Sequence, residues 1–178
     1  FMRVHGFGLA ETSTYLFFIG LTGVIGTYLG GYLSDRFGQK DKRWYLWVPG
    51  IATIISVPFA VIFYTTGNPI LAIFLAIPGA ILGPMYLGPT FATTQTLSPL
   101  AMRSLASAIL LFILNLIGLG LGPLFAGFLS DLLRPEYGEE SIRYSLLLLA
   151  VVGNVWSAFH YYLGSRTLRE DLTAKNLI

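Results

Sequence analysis

No side chain from residue 14 to residue 33 is ionised at neutral pH, and none from residue 45 to residue 68. Each run reaches the roughly 20 apolar residues that a helix needs to cross a bilayer. Between the two runs lies a short turn dense in charge, with Asp35, Arg36, Lys40, Asp41, Lys42 and Arg43. A helix satisfies its backbone hydrogen bonds internally, so two such runs joined by a charged turn imply a helical hairpin in lipid. Three further runs, 70–91, 105–129 and 144–163, meet the same length criterion, and the first two spans read as 14–33 and 44–64.

Composition argues the same way. Charged residues make up 11% of the chain, against about 25% in soluble domains. Hydrophobic residues make up 54% of the 178 residues, more apolar surface than a soluble interior of this size can hide. The expected class is therefore an all-α, multi-pass membrane protein. Cysteine is absent, which excludes disulfides and thiolate metal sites. No basic face alternates with stacking aromatics, so nucleic acid is not an expected partner. No His pair stands at ligand spacing and no phosphate loop ends in Lys-Ser or Lys-Thr, so no enzyme chemistry and no metal site are expected. Gly118, Gly120 and Gly122 follow no strand and read as a packing pattern, not a nucleotide fingerprint.

Lysine and arginine placement sets the expected orientation. Arg36, Lys40, Lys42, Arg43, Arg103, Arg166, Arg169 and Lys175 fall on one side, and Arg3, Arg134 and Arg143 on the other. The richer side, which includes the C-terminus, is expected to be cytoplasmic, in a plasma membrane or bacterial inner membrane. Trp44, Tyr45 and Trp47 sit where an interfacial aromatic belt would anchor the second span. Residues 134–138 read as a polar loop. Met2 to Gly6 reads as the exit of a preceding helix, which would complete six. The start at Phe1 is then read as a cut within a longer protein, with residues 1–13 forming a helix end and an outer loop.

The charged turn resembles the loop signature of the major facilitator superfamily, roughly G-x-x-x-D-R-x-G-R-R/K. Gly31, Asp35, Arg36, Gly38 and Lys40 match it, while Gln39 departs from the usual arginine. A second stretch, with Gly118, Gly122, Pro123, Ala126 and Gly127, resembles the family's glycine-proline helix signature. The resemblance implies a C-terminal six-helix bundle of a 12-helix fold, with residues 14–178 as helices eight to twelve plus a cytoplasmic tail. It also implies a partner, the N-terminal six-helix half. A narrower resemblance is to spinster-like members, which move sphingolipids or lysophospholipids. It rests on Arg3-Val4-His5-Gly6, on Tyr86-Leu87-Gly88-Pro89, and on the stretches 103–108 and 115–123.

The residues themselves point to particular roles. A carboxylate at Asp35 opposes the negative C-terminal end of its own helix and so wants a partner. The alternatives are a neighbouring helix N-terminus, Arg36 and Lys40, or solvent. The resemblance implies a conformational latch formed by Gly31, Asp35, Arg36, Gly38 and Lys40, with the acid capping a helix of the other half. The basic residues serve equally well as topology signals beside anionic lipid. Pro123 removes a backbone hydrogen bond deep in a span. With Gly118, Gly122 and Gly127 it marks either a hinge or a packing groove.

Polar groups within lipid ask for a partner or a cavity. Ser107, Asn115, Gly118 and Gly122 fall on one face at helical spacing. Asn115 is expected to be the main hydrogen-bonding group of a substrate cavity or, equally, a contact to a neighbouring helix. Thr22, Tyr86 and Thr90 are further cavity candidates. No acid lies inside any span. A coupling proton or cation, if used, would engage Glu11 or groups in the other half, and no other cofactor is expected. The function so read is secondary active transport of a small amphipathic molecule, a lysophospholipid or sphingoid lipid. Alternatives are drug or metabolite efflux, or a non-transporting membrane scaffold or receptor.

Overall fold

In the computed structural model, which describes residues 6–175, every long element is a helix. Helix α1 is Leu9–Gly38, α2 is Trp44–Thr65 and α3 is Pro69–Leu82. A 3-10 turn, Gly83–Tyr86, leads into α4, Leu87–Leu97. Helix α5, Arg103–Ile113, continues through a π-helical segment, Leu114–Leu121, into α6, Gly122–Tyr137, and α7 is Ser141–Ala174. The expected all-α class holds. The expected helix exit at Met2 to Gly6, and with it Arg3-Val4-His5-Gly6, lies outside the described residues except for Gly6.

Among the described residues, four helical runs are long and apolar enough to cross a membrane: Leu9–Gly38, Trp44–Thr65, Pro69–Leu97 and Leu100–Ala174. Every span read from the sequence falls within one of them, the last two sharing the fourth. That fourth run reverses at Gly138, whose φ of +54° is a conformation natural to glycine. Beyond the turn, Ser130 and Ser141 share a 3.0 Å hydroxyl contact, and the Ser145 hydroxyl donates to the Ala126 carbonyl at 2.7 Å. These pairs make α6 and α7 antiparallel.

Polar residues punctuate the apolar runs. Asn68 accepts from the Ile70 and Leu71 amides at 3.0 and 3.3 Å, and Pro69 occupies the first turn. This arrangement satisfies amides that a helix start leaves open. At the same turn, Arg143 donates to the Tyr64 and Thr66 carbonyls at the C-terminus of α2. A guanidinium there meets both the open carbonyls and the negative end of the helix.

Small residues bring the helices together, as is usual where lipid removes the hydrophobic drive for association. Thr12, Ile19, Gly26, Gly30, Ser34 and Gly38 form the buried face of α1. A Cβ on Gly26 would collide with the Ile81 carbonyl, and one on Gly30 with the Met85 carbonyl. A Cβ on Gly88 would lie 3.4 Å from Gly31 Cα. The contacts advance together along both chains, so α1 runs parallel to α3 and α4. Val48, Ala52 and Met85 form a small buried core, flanked by Leu29, Leu33, Trp44 and Leu82.

Helix α7 lies antiparallel to α2 along its length. Gly50 faces Tyr161, and Gly164 faces Leu46. The α5–α6 run instead exposes large apolar side chains, including Phe112, Leu116, Leu119 and Leu124.

Several boundaries differ from the sequence reading. Helix α1 starts at Leu9, within the stretch read as an outer loop, with Glu11 in its first turn, where the helix dipole favours an acid. Residues 134–137, read as loop, are the end of α6. Its final carbonyls are closed by the Gly138 amide bonding to Arg134. The residues after 163, read as a tail, extend α7 to Ala174, with Leu168 and Leu172 buried. Apolar residues four apart give that extension a face to bury.

Candidate functional site

The end of α1 and the turn 39–43, leading into α2, place six charged side chains within nine residues, 35–43. Their partners are specific. The Tyr45 hydroxyl donates to the Asp35 carboxylate at 2.7 Å. Arg36 donates instead to the Tyr32 hydroxyl, one turn back, at 3.2 Å. Thus the partner of Asp35 is a phenol in the first turn of α2, not Arg36 or Lys40. Tyr45 also explains Gly38: a Cβ there would collide with the Tyr45 ring. The motif's acid and its second glycine therefore meet on one aromatic side chain. Gly31 serves a different contact, the approach of Gly88 on α4.

Asp41, outside the motif residues singled out above, is the most heavily bonded acid of the turn. Arg43 binds it through its side chain, with Nη2 to Oδ2 at 2.9 Å, and through its backbone amide at 3.0 Å. Arg169 of α7 binds it as well, with Nη2 to Oδ2 at 2.9 Å. The Arg43 guanidinium foremost holds the Asp41 carboxyl down at about 2; desolvation, the next largest effect, pushes it up, and the Arg43 amide and Arg169 lower it further. Arg43 also stacks over the Trp47 ring, 4.6 Å from guanidinium carbon to centroid. Trp47 in turn donates its indole N–H to Ser165 at 2.9 Å. Ser165 and Arg169 are one turn apart on α7, so both clamp the start of α2.

Sequence reasoning missed Tyr45, Asp41 and Arg169 as members of this site. Tyr45 was absorbed into the aromatic belt, and Arg169 into the tail. A usable signal was present. Ser165, Leu168, Arg169 and Leu172 keep helical spacing past the expected end of the span.

The second candidate region is the helix broken at Pro123. A π-helical segment, Leu114–Leu121, stands directly before it, and the Gly122 amide bonds to the Ile117 carbonyl five residues back. Proline gives no amide and crowds the carbonyl four residues earlier, and a widened turn relieves both effects. A Cβ on Gly118 or Gly127 would meet nothing within 4 Å, and one on Gly122 only the Ile117 carbonyl at 3.6 Å. Within this bundle these glycines leave the helix slender without seating a neighbour.

The five cavity candidates are scattered. Asn115 is exposed, and its amide donates to the Leu111 carbonyl of its own helix at 2.8 Å. Thr22 likewise donates to Ile19 at 2.6 Å. Ser107 accepts from Gln95 at 3.0 Å, linking α5 to α4. Thr90 shares a 2.9 Å contact with the Tyr161 hydroxyl of α7. Tyr86 is half-buried in the 3-10 turn. Among the described residues none of the five is hydrogen bonded to another.

The sequence pattern of the family described as Major Facilitator Superfamily matches residues 1–177. The chain belongs to the major facilitator superfamily. It is similar to an "MFS-type efflux pump" of Mycolicibacterium smegmatis (strain ATCC 700084 / mc(2)155), with 35% identity over 173 residues. The match covers 96% of this chain and 40% of that protein. It is also similar to two crystal structures of a bacterial homolog of the human lysosomal transporter Spinster, both inward-facing. The unoccupied form superposes with a TM-score of 0.83 at 28% identity, over 96% of this chain and 43% of that one. The occupied form gives 0.82 at 28% identity, over 96% and 44%. The chain thus spans about two fifths of the length of these superfamily relatives, and the spinster-like resemblance of its motifs has a structural counterpart.

Proposed function

We propose that the chain forms the C-terminal bundle of a secondary active transporter that carries a small amphipathic molecule by alternating access. The observation that carries this reading is the likeness of the whole helical arrangement to an inward-facing Spinster homolog. Other features support it. The exposed apolar side of the α5–α6 run suits packing against a second bundle. The π-helical segment before Pro123 suits a helix that bends as the bundles rock around a midplane site. Asp35, held by Tyr45, suits a latch that exchanges this partner for the other bundle. A lysophospholipid or sphingoid lipid is the proposed cargo, since the faces available to it combine apolar side chains with few hydroxyl and amide groups.

Efflux of an apolar drug or metabolite is the second reading, favoured by the 35% identity to the mycobacterial efflux pump. One experiment separates the two. The intact protein is reconstituted in proteoliposomes and assayed for flux of labelled lysophospholipid and of a cationic dye. The first reading expects lysolipid flux that Asp35→Ala and Asn115→Ala each reduce. Dye flux without lysolipid flux assigns efflux, and neither flux in folded protein removes both.

A further inference from the structure

A cleft opens between the charged turn and the α7 extension that no motif explains. Lys42 and Tyr45 form one side, Thr93 and Thr96 of α4 another, and Leu168 and Leu172 of α7 the third, around about 190 Å³. That volume is below the roughly 300–1,000 Å³ of pockets enclosing a drug-sized ligand. The cleft therefore takes a headgroup and leaves the remainder of an amphipath outside.

The side chains state what headgroup fits. Arg43 and Arg169 are committed to Asp41, whereas Lys42 makes no ion pair among the described residues. Its ammonium stands 6.0 Å from the centroid of the Tyr45 ring. An ammonium without a carboxylate serves a phosphate as a point charge. The Thr96 hydroxyl makes no hydrogen bond among the described residues, so it has a proton to offer an anionic oxygen. The Thr93 hydroxyl spends its proton on the Pro89 carbonyl at 2.8 Å, so it has only lone pairs to offer and wants a ligand O–H. An anionic oxygen beside a hydroxyl, with apolar Leu168 and Leu172 opposite, describes a hydroxylated phosphodiester such as a glycerophosphate headgroup. Basic residues just outside a membrane span also attract anionic lipid.

We propose that this cleft binds the headgroup of an anionic glycerophospholipid, with Lys42 and Thr96 on the phosphate and Thr93 on a headgroup hydroxyl. Occupancy would touch Tyr45, the residue that holds Asp35, so lipid composition would bear on the turn. The binding claim itself stands apart from any transported substrate.

The test is lipid retention by the intact protein in native mass spectrometry, from vesicles of phosphatidylcholine with and without phosphatidylglycerol. Retained phosphatidylglycerol is expected on the wild type and on Lys42→Arg. Lys42→Gln should bind at least about tenfold more weakly, as loss of a charge-assisted contact implies, and Thr96→Val should also weaken retention. Unchanged thermal unfolding of Lys42→Gln shows that the variant is folded; if it unfolds early, the comparison of Thr96→Val with wild type carries the test. Equal retention by wild type and Lys42→Gln, or equal retention of phosphatidylcholine, overturns the proposal. Displacement of the lipid by an equimolar amount of soluble glycerol 3-phosphate reassigns the site to a soluble ligand and overturns the lipid source.

Discussion

Tyr45 donates its hydroxyl proton to Asp35 across 2.7 Å, and its ring fills the space beside Gly38. One side chain thereby accounts for two positions of the superfamily loop signature. An acid at a helix C-terminus is poorly placed against its own dipole, and a phenol on the following helix offsets that cost without neutralising the charge. The carboxylate stays exposed and able to change partners.

Gly38→Ala should push the Tyr45 ring aside and separate it from Asp35. Overpacking of this kind costs about 1–3 kcal/mol, read as a lower melting temperature of the purified protein. Adding Tyr45→Ala should recover most of the loss, because the three nearest atoms that a Cβ at Gly38 would meet all belong to that ring. Equal stabilities of wild type and Gly38→Ala would contradict the contact.

Asp41 predicts a pH dependence. Its carboxyl is held at about 2, below its ordinary value of 3.8. A depressed folded-state value gives stability that is complete above the unfolded value and is lost as pH falls through the folded one. The stability gap between wild type and Asp41→Asn should therefore be constant above about pH 4. It should narrow as pH falls from there towards the folded-state value of about 2. Thermal unfolding of both proteins across that range measures it. An exposed pair is worth at most about 1 kcal/mol, and the sharing of Asp41 between two arginines puts this gap at the upper end.

Arg143 holds the end of α2 from α7, and its side chain is only 11% exposed. Arg143→Ala should leave the Tyr64 and Thr66 carbonyls without their donor and cost about 2 kcal/mol. Arg143→Lys should recover only part, since an ammonium lacks the fixed planar fork by which the guanidinium reaches both carbonyls. Differential unfolding of the three proteins checks both statements.

The glycines should divide into two groups. Gly26→Ala and Gly30→Ala drive a methyl into the backbone carbonyls of Ile81 and Met85. Backbone has little room to give, so each should cost at least about 2 kcal/mol. Gly118→Ala and Gly127→Ala meet open space and should raise helix stability by about 0.5–1 kcal/mol. If the Pro123 region is a hinge, these same two variants slow transport while melting no earlier. Unchanged transport would return the segment to a purely structural role.

Much of the fold was legible because lipid imposes a simple rule: uncharged runs long enough to span become helices. The positions of Gly31, Asp35 and Gly38 were legible as a motif. Their reasons were not, because each depends on a residue brought in from another element. Gly31 needs Gly88, and Gly38 needs Tyr45. The π-helical segment was hidden for a related reason. Pro123 announces a break, but whether the helix kinks or widens depends on the carbonyls preceding it. The helical extension of α7 was not legible because Arg166, Arg169 and Lys175 follow the apolar span as a polar tail would. Their charges mask the apolar face of Leu168 and Leu172, and Arg169 turns out to serve Asp41. Asn115, the polar group that stood out in the sequence, satisfies itself on its own helix. That is the least demanding solution for an amide at such a position.

The most direct test of alternating access in this bundle is a distance distribution. Spin labels would be placed at Gln39 in the charged turn and in a loop at the same end of the proposed second bundle, in the intact protein in lipid. Pulsed electron–electron resonance is expected to give two populations, an inward-open one and a closed one. Asp35→Ala should shift their ratio without changing either distance. A single distance, unaltered by Asp35→Ala and by the candidate substrate, would contradict the account.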